Sequence, residues 1–143
     1  AAGLVAAGAN TDYIGQYVYE RAPFGYLNAA GAALSRAQLD EDASVVSTVI
    51  TADDLKKAGI DWGDIDNLIN TIRLPVEADV SVLAKTHDDG RVKLSMRSRG
   101  GTDVGAIAAG LGGGGHRFAA GATVEMTADE AISAVIAAVK AAK

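Results

Sequence analysis

The 143-residue chain has no cysteine, and only two histidines, His87 and His116. Without cysteine there are no disulfides, thiolate metal sites or cysteine nucleophiles. That fits a reducing, intracellular setting, and a cytoplasmic location is expected. No apolar run approaches the length that crosses a bilayer, and Ala1–Ala9 lacks the basic flank of a signal peptide, so no membrane role is expected. A long basic face is missing as well: 13 Lys and Arg stand against 18 Asp and Glu, a net charge of −5. This balance argues against a general nucleic-acid coat protein. What remains is 49% hydrophobic and 22% charged, the composition of a folded chain with room for about one domain.

The charges are not evenly spread. Carboxylates dominate from Asp40 to Asp79, whereas the segment from Arg91 to Arg117 carries Arg91, Lys93, Arg97, Arg99 and Arg117 against the single acid Asp103. A local positive field inside an acidic protein suits a small anionic ligand better than a long polyanion.

Local signals predict alternating helices and strands, hence an α/β fold: a mixed β-sheet flanked by helices, preceded by an N-terminal helical connector. Asn10–Thr11–Asp12 is a cap for a helix to about Arg21, and residues 25–39 are Ala-rich at helical spacing. Residues 1–40 therefore read as a connector and 41–143 as the domain. Val45–Ile50 reads as a buried strand. Thr51-Ala-Asp-Asp opens a helix ending at Gly59, and Ile65, Leu68, Ile69 and Ile72 share one face of another. Val80–Lys85 pairs with Arg91–Arg99 across a turn containing Asp89–Gly90. His87, Asp88 and Asp89 are read as that solvated turn and not as metal ligands; Trp62 is read as a packing lid. Thr102–Asp103 caps a short helix with Val104, Ile107, Ala108 and Leu111 inward. Ala122–Met126 is another strand, and Thr127-Ala-Asp-Glu130 caps a C-terminal helix.

The short helix delivers the chain into Gly112–Gly113–Gly114–Gly115–His116. A turn needs one or two glycines; four imply a backbone that lies against something with no Cβ in the way. No Lys-Ser/Thr follows the run and no G-x-G-x-x-G opens a long helix, which sets it apart from the common nucleotide loops. Bare amides beside an imidazole make a seat for an anion. On the hairpin strand, alternation puts Arg97 on the polar face with Arg91, Lys93, Ser95 and Arg99, where its guanidinium can meet a phosphate or base.

Taken together, Arg91-Val-Lys-Leu-Ser-Met-Arg97-Ser-Arg, Asp103-Val-Gly-Ala-Ile-Ala-Ala and Gly112-Gly-Gly-Gly-His116-Arg-Phe-Ala-Ala-Gly121 resemble the C-terminal DHH-associated domain of the DHH-family phosphoesterases. The resemblance is closest to the branch that degrades short oligoribonucleotides, adenosine 3′,5′-bisphosphate and linear or cyclic dinucleotides. It implies a substrate-binding domain facing an N-terminal DHH catalytic domain that holds Mn²⁺. By motif match, Arg97, Ser98, Gly113, Gly114, Gly115 and His116 would contact the phosphate and nucleotide. It also implies short 5′-phosphorylated RNA, a dinucleotide or adenosine bisphosphate as ligand, and leaves room for a homodimer.

The chain has no Asp-His-His sequence, so no metal ligands and no catalytic residues are expected within it. With a start other than Met, this predicts the excised binding half of an enzyme, inactive alone. Two alternatives stand beside it: a nucleic-acid module like that of alanyl-tRNA synthetases, and a structural dimerisation domain in which the glycines merely pack.

Overall fold

The computed structural model describes residues 2–19 and 21–143. The elements run α1 (Ala2–Ala6), α2 (Thr11–Tyr19), α3 (Gly25–Leu34), β1 (Gln38–Asp40), β2 (Val45–Thr51), α4 (Ala52–Ala58), a 3₁₀ turn (Trp62–Ile65) and α5 (Leu68–Ile72). They continue with β3 (Val80–Thr86), β4 (Val92–Ser98), α6 (Val104–Gly110), β5 (Gly114–His116), β6 (Ala119–Val124) and α7 (Ala128–Ala142). The six strands form one sheet in the order β1-β2-β3-β4-β6-β5. Only β2 and β3 pair in parallel; the other neighbours are antiparallel. The mixed α/β architecture expected from the sequence is therefore present. No helix of the described residues is long and apolar enough to cross a membrane.

Side chains alternate along a strand, so the sheet sorts its residues onto two faces. On one face Val45, Val80, Val82, Val92, Leu94, Met96 and Ala122 pack against Val104 and Ile107 of α6 and Val135 and Val139 of α7. On the other, Val46, Ile50 and Leu83 pack against Ala29 and Ala33 of α3, Leu55 of α4, Ile65, and Leu68 and Ile72 of α5. This second layer covers β2 and β3, and β4, β6 and β5 extend beyond it.

Several local signals act as expected. The Asn10 side chain accepts from Tyr13 N–H at 2.9 Å, capping α2; Glu20, in the expected extension to Arg21, lies outside the described residues. Thr51 and Asp54 form a capping box, and α4 stops at Gly59 in the left-handed region, φ 67°. Gly90 turns the β3–β4 hairpin at φ 82°. The Thr127–Glu130 capping box opens α7. Thr127→Ala is expected to cost about 1 kcal/mol, read as a lower urea midpoint; an unchanged midpoint would show that tertiary packing alone holds the start of α7.

Other elements differ from expectation. The helix over Ile65–Ile72 is a 3₁₀ turn followed by one short helix, although all four of its apolar residues are buried. Gly63, Asp64, Asp66 and Asn67 are poor helix formers, and Asp66 is drawn instead to Lys85 at 2.9 Å. The second half of the expected connector is packed against the sheet. Ala29 and Ala33 are buried, the Thr48 hydroxyl donates to the Ala33 carbonyl, and Lys140 pairs with Asp40 at 3.1 Å. Residues 25–40 thus belong to the packed unit. In α1 and α2, by contrast, Leu4, Val5, Tyr13, Ile14 and Tyr17 are exposed.

Candidate functional site

The strand register assembles the site. Residues paired across neighbouring strands share a face. Arg97 pairs with Ala119, and Ala119 with His116, so these three form one row. The next row on the same face is Ser95, Gly121 and Gly114, and a third carries Lys93 and Thr123. The three rows occupy the half of the sheet that the second helical layer leaves uncovered. Accordingly Lys93, Gly114, His116 and Thr123 are exposed, and Ser95, Arg97, Ala119 and Gly121 half-buried. Arg97 and His116 stand two strand spacings apart, about 10 Å at the backbone, with only the Ala119 methyl between them. Both side chains can reach over that gap.

The glycines divide by role. Gly112 has φ 77°, and its N–H donates to the Ala109 carbonyl at 3.1 Å, closing α6. A Cβ on Gly113 would lie 2.2 Å from the Gly121 carbonyl oxygen, and one on Gly115 2.5 Å from Ala120 Cα. A Cβ on Gly114 would meet nothing within 4 Å. Gly112 is thus required by its backbone conformation, and Gly113 and Gly115 by the chain's own packing. Gly114 is required by neither, and its missing side chain leaves that part of the uncovered face open.

Two site expectations are corrected in their detail. Gly113 does not present a bare amide: its N–H donates to the Ala108 carbonyl at 2.8 Å, and its role is to let β5 lie close on β6. Ser98 is only 3% exposed, and its hydroxyl accepts from Gly100 N–H at 2.9 Å. It shapes the turn after β4, on the opposite face from Arg97. Gly114 and Gly115 belong to β5, the outer strand. Successive strand amides point to opposite sides, so one of these two N–H groups faces β6 and the other the open edge.

The hairpin that carries His116 is held firmly. Val104 N–H donates to the Arg117 carbonyl at 3.1 Å, and Ser98 N–H to the Phe118 carbonyl at 3.0 Å. Gly105 lets the start of α6 rest against the His116 carbonyl, where a Cβ would come within 3.1 Å. Arg97 donates one N–H to the Met96 carbonyl at 2.9 Å. Among the described residues neither Arg97 nor Lys93 is in an ion pair, so their charges are available. A depression of about 400 Å³ lies beside Lys93, lined also by Gly112, Gly113, Gly114, Gly121 and Thr123. Arg99, read with Arg97 in the sequence, turns away to the carbonyls of Arg73 and Leu74 at 2.7 and 3.2 Å. His87 lies in the β3–β4 turn, stacked on Trp62 at 4.3 Å, and takes no part in the site. Among the described residues no three His, Cys, Asp or Glu side chains are grouped to hold a metal. The described residues thus offer no such group for manganese.

Sequence reasoning missed Ala119, Gly121 and Thr123 as parts of the site. Their signal was the alternation Ala119-Ala-Gly-Ala-Thr123, which becomes informative only when the partner strand is known.

The DHHA1 domain family pattern matches residues 41–142. Over 78 residues, 54% of the chain, there is 44% identity to the bifunctional oligoribonuclease and PAP phosphatase NrnA of Thermus thermophilus, covering 24% of that protein. The fold matches an exopolyphosphatase-related protein from Bacteroides fragilis with a TM-score of 0.86 and 25% identity, over 96% of this chain and 41% of that one. It also matches the pGpG-specific phosphodiesterase PggH of Vibrio cholerae at TM-score 0.58 and 15% identity, over 83% of this chain and 40% of that one; this likeness speaks to fold alone. The chain thus spans about a quarter of the curated relative and about two-fifths of the two solved chains.

Proposed function

The chain belongs to the DHHA1 domain family of the DHH phosphoesterases, and from that premise we propose that it is the substrate-gripping domain of a phosphoesterase acting on short nucleotides. The ligand class proposed is a short 5′-phosphorylated RNA, a dinucleotide or adenosine bisphosphate. The observation that carries the reading is the Arg97–Ala119–His116 row on an open sheet face, beside a glycine whose Cβ would project into free space.

The chemistry suits a terminal phosphate. The Arg97 guanidinium offers a planar fork of donors, the His116 imidazole an N–H, and β5 an outward amide. Charge-assisted hydrogen bonds to such a group contribute about 1.5–3 kcal/mol each. Ala119, Gly114 and Gly121 keep the floor low, so the nucleotide lies flat against the sheet. Hydrolysis itself is assigned to a DHH domain holding Mn²⁺, which would supply an activated water. The residues here bind and orient.

His116→Ala is expected to weaken binding of a 5′-phosphorylated dinucleotide by roughly 10- to 100-fold without unfolding the domain. Amide NMR titration of the chain, without metal, measures it. In the parent, saturable shifts should include Gly112–His116 and Arg97. Equal affinity in variant and parent would remove His116 from the site. Tight binding of long RNA with a steep salt slope would instead favour a general nucleic-acid module.

A further inference from the structure

We infer that Lys93 and Thr123 form a second anion subsite on the same open face, which takes a phosphodiester downstream of the gripped terminal phosphate. This rests on the reading of Arg97 and His116 as the terminal-phosphate grip, and it names the ligand that the whole face is shaped for: a nucleotide chain with at least two phosphates.

Three observations carry it. Lys93 lies four residues before Arg97 on β4 and faces the same way, about 13 Å along the strand. One phosphate cannot sit at both rows, so the Lys93 row faces a different part of the ligand. Between the rows stand only the Ser95 side chain and the Cβ-free positions Gly121 and Gly114. A Cβ on Gly114 would meet nothing within 4 Å, which leaves a shallow trough with a cation at each end. The depression of about 400 Å³ at its far end is lined by Lys93, Thr123 and the glycines.

Charge balance supports the same conclusion. Lys93 pairs across the sheet with Lys85, an arrangement of like charges that costs stability. Lys85 is buried at 6% exposure and is neutralised by Asp66 at 2.9 Å. Lys93 has no such counterion among the described residues. A ligand phosphate supplies it, with the Thr123 hydroxyl alongside as a neutral donor.

The test compares two ligands by titration of the chain: a nucleoside 5′-monophosphate and a 5′-phosphorylated trinucleotide. Lys93→Gln should weaken the trinucleotide about 10-fold, lower its salt slope by about 0.7, and leave the monophosphate unchanged. Thr123→Val should act in the same direction, more weakly. Lys57→Gln removes the same charge from α4, where Lys57 pairs with Asp53, and should change neither ligand. The subsite is overturned if Lys93→Gln weakens both ligands alike or neither, if Lys57→Gln matches its effect, or if the parent binds both ligands equally. His116→Ala separates this from the grip itself: it should weaken both ligands. If it weakens neither while Lys93→Gln still discriminates, the terminal grip is misplaced and the second subsite stands.

Discussion

Gly115→Ala should be among the most damaging single substitutions in this chain, lowering stability by roughly 2–5 kcal/mol. Two costs combine. Gly115 has φ 144°, a region that side chains rarely adopt, and a Cβ there would lie 2.5 Å from Ala120 Cα and 2.6 Å from the Ala119 carbonyl oxygen. Backbone cannot move aside as a side-chain tip can. The chain's cheapest escape is to release β5, a three-residue, fully exposed outer strand. The strain is then capped by the free energy of that local opening. Either way, amide exchange in β6 should quicken, the urea midpoint fall, and nucleotide binding be lost with the displaced His116. Gly114→Ala is the control. Its Cβ meets nothing, so stability should stay within about 0.5 kcal/mol, while the added methyl projects into the trough and weakens ligand binding. If the two alanine variants lose stability equally, the division of the glycines into packing and ligand-facing positions is wrong.

Asp54→Ala is expected to cost about 2–3 kcal/mol by removing two roles at once. The carboxylate accepts from both Arg36 terminal nitrogens at 2.7 and 2.8 Å. It also closes the α4 capping box, accepting from Thr51 N–H at 2.9 Å. Asp54 is 8% exposed and the Arg36 side chain 43%, so solvent screens the pair and the loss falls below that of a fully buried one. The Arg36 hydrogen bonds hold the Asp54 carboxyl well below the usual carboxylate range; burial opposes this, and the Thr51 donors reinforce it. The sign of the pH dependence follows. A depressed native pKa stabilises the fold above the unfolded value of about 3.9, and that contribution is lost as pH falls further toward the native value. Stability should be flat between about pH 7 and 5 as far as this group acts, and decline below about pH 4. Asp40, Asp89 and Glu130 are also lowered, by their hydrogen bonds, and act in the same direction. Comparing parent with Asp54→Ala isolates the pair: the variant's acid slope should be shallower. Identical slopes would mean that the pair contributes no net stability.

Arg36 also shows what the pair does for the architecture. It follows α3 and donates to the Val49 carbonyl as well at 3.2 Å, tying residues that read as a loose connector to the centre of the packed unit.

Local chemistry alone determined the capping boxes at Thr51 and Thr127, the Asp89–Gly90 turn, the buried strand at Val45 and the inward face of α6. Each depends on groups within about four residues of one another, so the chain's order contains the whole cause. The family motifs, read in order, likewise marked Arg97 and His116. Tertiary pairing decided the rest. Gly114–His116 forms a strand although glycine disfavours one, because β6 supplies the partner. Arg97 and His116 share a face only because both flank Ala119. Ser98 turns inward because β4 alternates about a core that distant helices define. Lys93 and Thr123 stand exposed on that same face because the second helical layer ends at β3. These are relations between residues far apart in the chain, set by which strands pair and in what register, and neither spacing nor composition encodes that register.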